Sequence, residues 1–192
     1  MKWMVFDSET NITRAWGRKA NPWHPDNYVV ARGWQVEGEP IEWAFFEDAL
    51  PESKNWLVIP PDVDVLAGHN IKFDILYELV QGNPYIFAFF ARGGRIWDTQ
   101  LAEYLLQSMQ RKYHMNSMDQ IIESYGGRKK IDGMKELWNA GVQTKDIDPA
   151  MVTDYLVGTE EEHRDSGDIG NTRLIYLGQQ VDRKSTRLNS SH

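Results

Sequence analysis

The sequence contains no cysteine. Disulfides and Cys-based zinc sites are thereby excluded, and a reducing compartment fits. No apolar run approaches the ~20 residues of a membrane span. Met1 leads straight into a strand-like run, with no secretory n-region or h-region. The expectation is a cytoplasmic protein with no membrane partner. Basic residues are in the minority: 21 Lys and Arg against 28 Asp and Glu, a net charge of −7. That deficit argues against broad electrostatic wrapping of nucleic acid. It leaves open an enzyme that meets nucleic acid through bound cations, because acidic ligands that hold metal make the bare protein look acidic. His24, His69 and His114 show no metal-ligand spacing.

What is present suits one domain with a real core. The chain has 192 residues, 41% of them hydrophobic and 12% aromatic, with eight Trp, eight Tyr and seven Phe. There is no internal repeat and no linker. Residues 1–181 are expected to form the domain. Residues 182–192, DRKSTRLNSSH, are polar and carry no apolar period. They match the in-frame translation of a common sequencing-library adapter, so they are expected to be an assembly artefact and a disordered tail; the alternative is a native flexible tail. Without their charge of +2 the chain carries −9, and the natural protein is expected to be able to continue past Val181.

Along the chain, KWMVFD (2–7) reads as a buried strand. RAWGRKANPWHPDN (14–27), with two Pro and several turn formers, reads as a loop. Residues 28–47 read as two strands around the turn EGEP, a hairpin. DVLAGHN (64–70) is a short strand and its exit. IKFDILYELVQ (71–81) has apolar residues at helical spacing. PYIFAFFARGG (84–94) is a packed helix stopped by Gly93 and Gly94. RIW (95–97) is a strand, and 98–110 a helix with Leu101, Tyr104, Leu105 and Met109 on one side. Helices follow over 117–127 (N-cap Ser117, stop at Gly126), 130–141, 148–157 (Pro149 in the first turn) and 168–181. Three strands, then strand–helix units, then helices predict an α/β domain. Its mixed sheet has an antiparallel hairpin edge and parallel crossovers.

Three acidic stretches raise a chemical question. Alternation along a strand puts Asp7 and Glu9 on one side. Two like charges so close call for a cation or a shared proton, and hard oxygen ligands suit Mg²⁺ or Mn²⁺; alternatively, the pair is only a polar strand exit. Asp74 follows a strand in the first turn of a helix, where open α/β sheets bind ligands; alternatively, it only complements the helix dipole. Asp168 opens the last helix, with His163 five residues earlier in the approach loop. A mobile His beside an attacking water is a sensible general base; alternatively, His163 is an exposed residue of the charged run EEEHRD.

Taken in order, these stretches are DxE on the first strand, NxxFD after a middle strand, and HxxxxD opening the C-terminal helix. That order resembles the DEDD family of 3′→5′ exonucleases, over nearly all of residues 2–181. RKANPWHPDNYVVARGW, GHNIKFDILYEL and GDIGNTRLIY look like the proofreading exonuclease region at the N-terminus of phage family A DNA polymerases. The resemblance implies a ribonuclease H-like three-layer fold, with a mixed sheet of about five strands flanked by helices. It implies that Asp7, Glu9, Asp74 and Asp168 hold two Mg²⁺ (or Mn²⁺) ions, which activate water and stabilise the leaving 3′-oxygen. It implies His163 or a Tyr as the group that orients and deprotonates the water. Thr10, Asn70, Phe73 and Tyr155 would contact the substrate, and Asp98 would be a helix N-cap rather than a ligand. The implied partners are the 3′ end of single-stranded DNA and a polymerase domain in the same chain. The implied setting is the cytosol of a phage-infected bacterium.

One departure from that pattern matters. Polymerase-linked members usually place Tyr four residues before the last Asp, and here that position is Arg164. Tyr155 lies thirteen residues upstream of Asp168. Either His163 has taken the role, or Tyr155 reaches in from the preceding helix, or neither acts. Arg14, Trp16, Arg18, Lys19 and Trp23 follow the first strand and suit stacking on a single-stranded end, or form a solvated loop. Besides the DNA exonuclease, two readings stay open: a catalytically weak or inactive nucleic-acid-binding domain of the same fold, and an RNA-trimming exonuclease.

Overall fold

A computed structural model describes residues 1–12, 21–46, 55–107, 115–129, 133–159 and 166–189, with side chains of the last stretch described to residue 181. Five strands form one mixed sheet: β1 (Lys2–Thr10), β2 (Val29–Val36), β3 (Ile41–Phe45), β4 (Val63–Gly68) and β5 (Arg95–Asp98), in the order β3-β2-β1-β4-β5. β1 and β2 pair antiparallel, as do β2 and β3, while β4 runs parallel to both β1 and β5. The hairpin edge and parallel half are those the sequence predicts.

Alternation along β1 divides the core. Trp3 and Val5 point to one face, with Ala31, Val65 and Ala67. There they bury side chains of α5 (Gly133–Ala140), α6 (Pro149–Val157) and α7 (Asp168–Asn189), among them Met134, Leu156, Ile169 and Tyr176. Met4 and Phe6 point to the other face. They pack with Val36 and Leu66 on Ile71, on Ile75 of α1 (Lys72–Val80), and on Ile86 and Phe89 of α2 (Pro84–Ala91). The result is helices, sheet, helices: an α/β three-layer fold. A mixed five-stranded sheet flanked by helices is the architecture the ribonuclease H-like expectation describes.

Local signals set most boundaries. Asn83 caps α2 by accepting the Tyr85 N–H (2.8 Å), and Asp148 caps α6 by accepting the Ala150 N–H (2.9 Å), each with Pro in the first turn. Asp98 caps α3 (Thr99–Leu106) through the Gln100 and Leu101 N–H groups, the capping role expected of it. The Ser117–Gln120 capping box starts α4 (Met118–Ile121), which tightens into a 3₁₀ turn and ends at Gly126 with φ +80°.

Three features differ from the sequence reading. β1 continues to Thr10, so Asp7 sits inside the strand rather than at its last position, and Glu9 lies in the strand rather than beyond it. The Leu101 and Leu105 side of α3 is exposed, while Thr99 and Glu103 face inward. Hydrogen bonds explain that inversion: Gln179 of α7 donates to the Thr99 carbonyl (2.9 Å), and Tyr125 donates to Glu103 Oε2 (2.5 Å). Finally, residues 182–189, expected as a disordered tail, continue α7. An established helix propagates by adding one hydrogen bond per residue, without a new nucleus.

Candidate functional site

The two carboxylates of β1 stand on the α6–α7 face. Asp7 lies opposite Gly33 and Glu9 opposite Ala31. Small partners matter here, because they let helices reach the sheet. A Cβ on Gly33 would stand 2.8 Å from Ile169 Cγ1 and 2.9 Å from Val157 Cγ1. The bare Gly33 backbone thus admits Ile169 of α7, and Ile169 brings its neighbour Asp168 to Asp7. One carboxylate oxygen each from Asp7, Glu9 and Asp168 lies within 4.8 Å of the others. Asp168 is buried, and Asp7 and Glu9 are half-buried.

A register shift between Glu9 and Thr10 marks a β-bulge at the same end, with Val30 of β2 as the extra residue. Bulges re-aim side chains and increase strand twist. Beyond it, the Thr10 carbonyl accepts the Thr144 hydroxyl (2.8 Å), which ties the end of β1 to the turn before α6.

Asp74 arrives from the opposite side. β4 pairs with β1 only as far as Val5↔Ala67, so β1 outruns its parallel neighbour. The Ser8 N–H beyond that point donates to Asp74 Oδ1 at 3.0 Å. Asp74 is 3% exposed and stands outside the close trio. It is nonetheless in the trio's field. Burial pushes its carboxyl well above the usual carboxylate range, the charge of Asp7 and then that of Glu9 push the same way, and the Ser8 N–H opposes them.

The trio could hold a metal ion. Its donors are all carboxylate oxygens, the hard set that Mg²⁺ and Mn²⁺ prefer. An octahedral ion with oxygens at about 2.1 Å holds opposite ligands about 4 Å apart, so a small side-chain adjustment closes the cluster. Burying carboxylates together is costly without positive charge, which makes the arrangement receptive to a cation.

The other expected residues fall as follows. Asn70 occupies the turn between β4 and α1 in the left-handed region (φ +61°), which Asn tolerates. Its N–H donates to Asp98 Oδ1 (3.1 Å), so Asp98 clamps the β4 exit as well as capping α3. Phe73 is half-buried in the first turn of α1, its ring 5.2 Å from that of Tyr77. Thr10 is buried. Tyr155 is half-buried on α6, its ring edge-on to Trp138 at 5.5 Å, which places it against the core. His163, Arg164, Arg14, Trp16, Arg18, Lys19 and His114 lie outside the described residues.

Sequence reasoning missed Arg32 and Glu78. Both are buried and paired with each other, and Arg32 also bonds Ser8 of β1. The signals were an Arg inside the apolar strand run YVVARGW and a Glu four residues after Asp74, one helical turn on.

Among the described residues no helix is long and apolar enough to cross a membrane. Comparison of the chain with protein-family models, curated proteins and solved structures finds no match.

Proposed function

We propose that the protein is a metal-dependent 3′→5′ exonuclease that hydrolyses DNA from its 3′ end and releases nucleoside monophosphates, in a proofreading setting. The observation that carries the reading is the convergence of four acids around the end of the central strand β1. Asp7, Glu9 and Asp168 form a close trio, and Asp74 is held beside it by the Ser8 N–H. They follow one another along the chain on β1, α1 and α7, the order of the DEDD resemblance, which supports the reading.

In this reading Asp7, Glu9, Asp74 and Asp168 hold two Mg²⁺ or Mn²⁺ ions. Bound ions supply Lewis acidity toward the phosphate and charge stabilisation for the departing oxygen. The chain's own residues position and move protons. His163 accepts a proton from the attacking water as its oxygen bonds to phosphorus. The bond from phosphorus to the 3′-oxygen of the penultimate nucleotide breaks, and that oxygen is protonated from solvent. Asn70, Phe73 and Thr10 line the terminal nucleotide. Tyr155 is the weaker candidate for the base, because its ring is engaged with Trp138.

Product analysis tests this. Single-stranded DNA incubated with the protein and Mn²⁺ should yield 5′-mononucleotides, EDTA should stop their release, and Asp7→Asn should abolish it. Oligonucleotide products, or mononucleotide release that survives EDTA, would reject the reading.

A further inference from the structure

Arg32 is 1% exposed, the largest fully buried side chain among the described residues. A buried guanidinium is costly unless its donors are met. Here they go to three different elements. Nε donates to Ser8 Oγ on β1 (3.3 Å), Nη1 to the Asn55 carbonyl in the β3–β4 connection, and Nη2 to Glu78 Oε1 on α1. Glu78 Oε2 in turn accepts the Leu57 N–H (3.1 Å) and the side-chain amide of Asn83 (2.5 Å), the residue that caps α2.

This network surrounds one acid of the site. Glu78 lies one helical turn beyond Asp74, so both acids leave α1 toward the sheet. Ser8, opposite Arg32 in the β1–β2 ladder, is the residue whose N–H holds Asp74. Arg32 therefore grips Asp74's neighbour on its own helix and its anchor on the strand. Buried ion pairs contribute little net stability compared with apolar packing; setting register is their better-attested use.

Building on the metal-centre reading above, we propose that Arg32 is a positioning residue that fixes α1 on β1 at the register where Asp74 joins Asp7 and Glu9. It touches neither substrate nor ion and acts through Ser8 and Glu78.

The test is Mn²⁺ binding by titration calorimetry on the full chain without DNA, run beside strand-shortening kinetics. Arg32→Lys keeps the charge but cannot grip Ser8, Asn55 and Glu78 together. It should weaken Mn²⁺ binding about tenfold, the usual scale for losing a partner that orients a ligand. The Mn²⁺ needed for half-maximal turnover should rise in parallel, with KM for DNA unchanged. Ser8→Ala, which removes one tether but keeps the N–H to Asp74, should shift both in the same direction by less, and decides the matter if Arg32→Lys does not fold. Val63→Ala, a buried position opposite Lys2 at the far end of the sheet from the acids, should lower the melting temperature and leave Mn²⁺ affinity alone. Unchanged affinity in Arg32→Lys, or in Ser8→Ala where Arg32→Lys does not fold, overturns the positioning role and leaves the nuclease reading intact. The expected shifts in a wild-type background that shortens no strand would overturn the nuclease reading and leave the positioning role. A wild-type chain that binds no Mn²⁺ overturns both.

Discussion

Gly158 and Gly167 meet backbone to backbone: a Cβ on Gly167 would stand 2.2 Å from the Gly158 nitrogen and 2.4 Å from the Val157 carbonyl carbon. Gly158 leaves α6 with φ +82°, and Gly167 immediately precedes Asp168. The segment that carries His163 therefore departs and returns at one point, next to the acid that opens α7. Gly167→Ala should force that junction apart. Forced overpacking of this kind costs about 1–3 kcal/mol, to be read by urea denaturation. Nuclease turnover should fall more than the stability loss explains, because Asp168 moves with the junction.

The trio makes a sharper claim. Asp7→Asn, Glu9→Gln and Asp168→Asn change shape little and remove one negative charge each from a cluster within 4.8 Å. Loss of one ligand should remove several kcal/mol of transition-state stabilisation, about 10³-fold in turnover. Circular dichroism should find all three variants folded. Turnover within tenfold of wild type in any of them would show that its carboxylate is not a ligand.

Asp74 predicts a pH dependence. Burial, then the charge of Asp7, raises its carboxyl above the unfolded value of about 3.9. Between the two values the folded state binds more protons than the unfolded state. Its contribution to the stability of the metal-free protein is therefore present at acid pH and falls as pH rises through the folded value. Asp74→Asn keeps an acceptor for the Ser8 N–H and removes the charge. With EDTA present it should raise the melting temperature by a few degrees at pH 8, with the gain shrinking toward pH 4, while nuclease activity is lost. A lower melting temperature at pH 8 would contradict this account of Asp74.

For His163 the expectation is kinetic. His163→Ala should lower turnover about 10²–10⁴-fold. It should also flatten the limb of the pH–rate profile that falls below about pH 6.5, where an ordinary imidazole becomes protonated and can no longer accept a proton. Tyr155→Phe should change turnover far less, because the ring contact with Trp138 survives. The opposite ranking would transfer the role to Tyr155.

Much of the fold was legible because its signals are local: the EGEP turn between alternating runs, Pro149 in the first turn of a helix, Gly93 and Gly94 after another, and short apolar strands. Strand alternation and helix starts placed each acid singly, and it was the resemblance that joined them into a set, of which Asp7, Glu9 and Asp168 stand together. Arg32 was not legible, since its partners on β1, α1 and the β3–β4 connection meet only in the folded sheet. The outward side of α3 was missed for a related reason. Periodicity counts apolar residues, whereas Glu103 and Thr99 face inward on hydrogen bonds from Tyr125 and Gln179. The bulge between Glu9 and Thr10 and the closeness allowed by Gly33 are likewise properties of strand pairs and helix contacts.

The central claim is directional, and end-labelled single strands test it most directly. With Mn²⁺ present, a 5′-labelled DNA strand should shrink as a ladder, one nucleotide at a time, while a 3′-labelled strand loses its label at once as a mononucleotide. A ladder on the 3′-labelled strand, or no Mn²⁺-dependent shortening from the 3′ end, would contradict it.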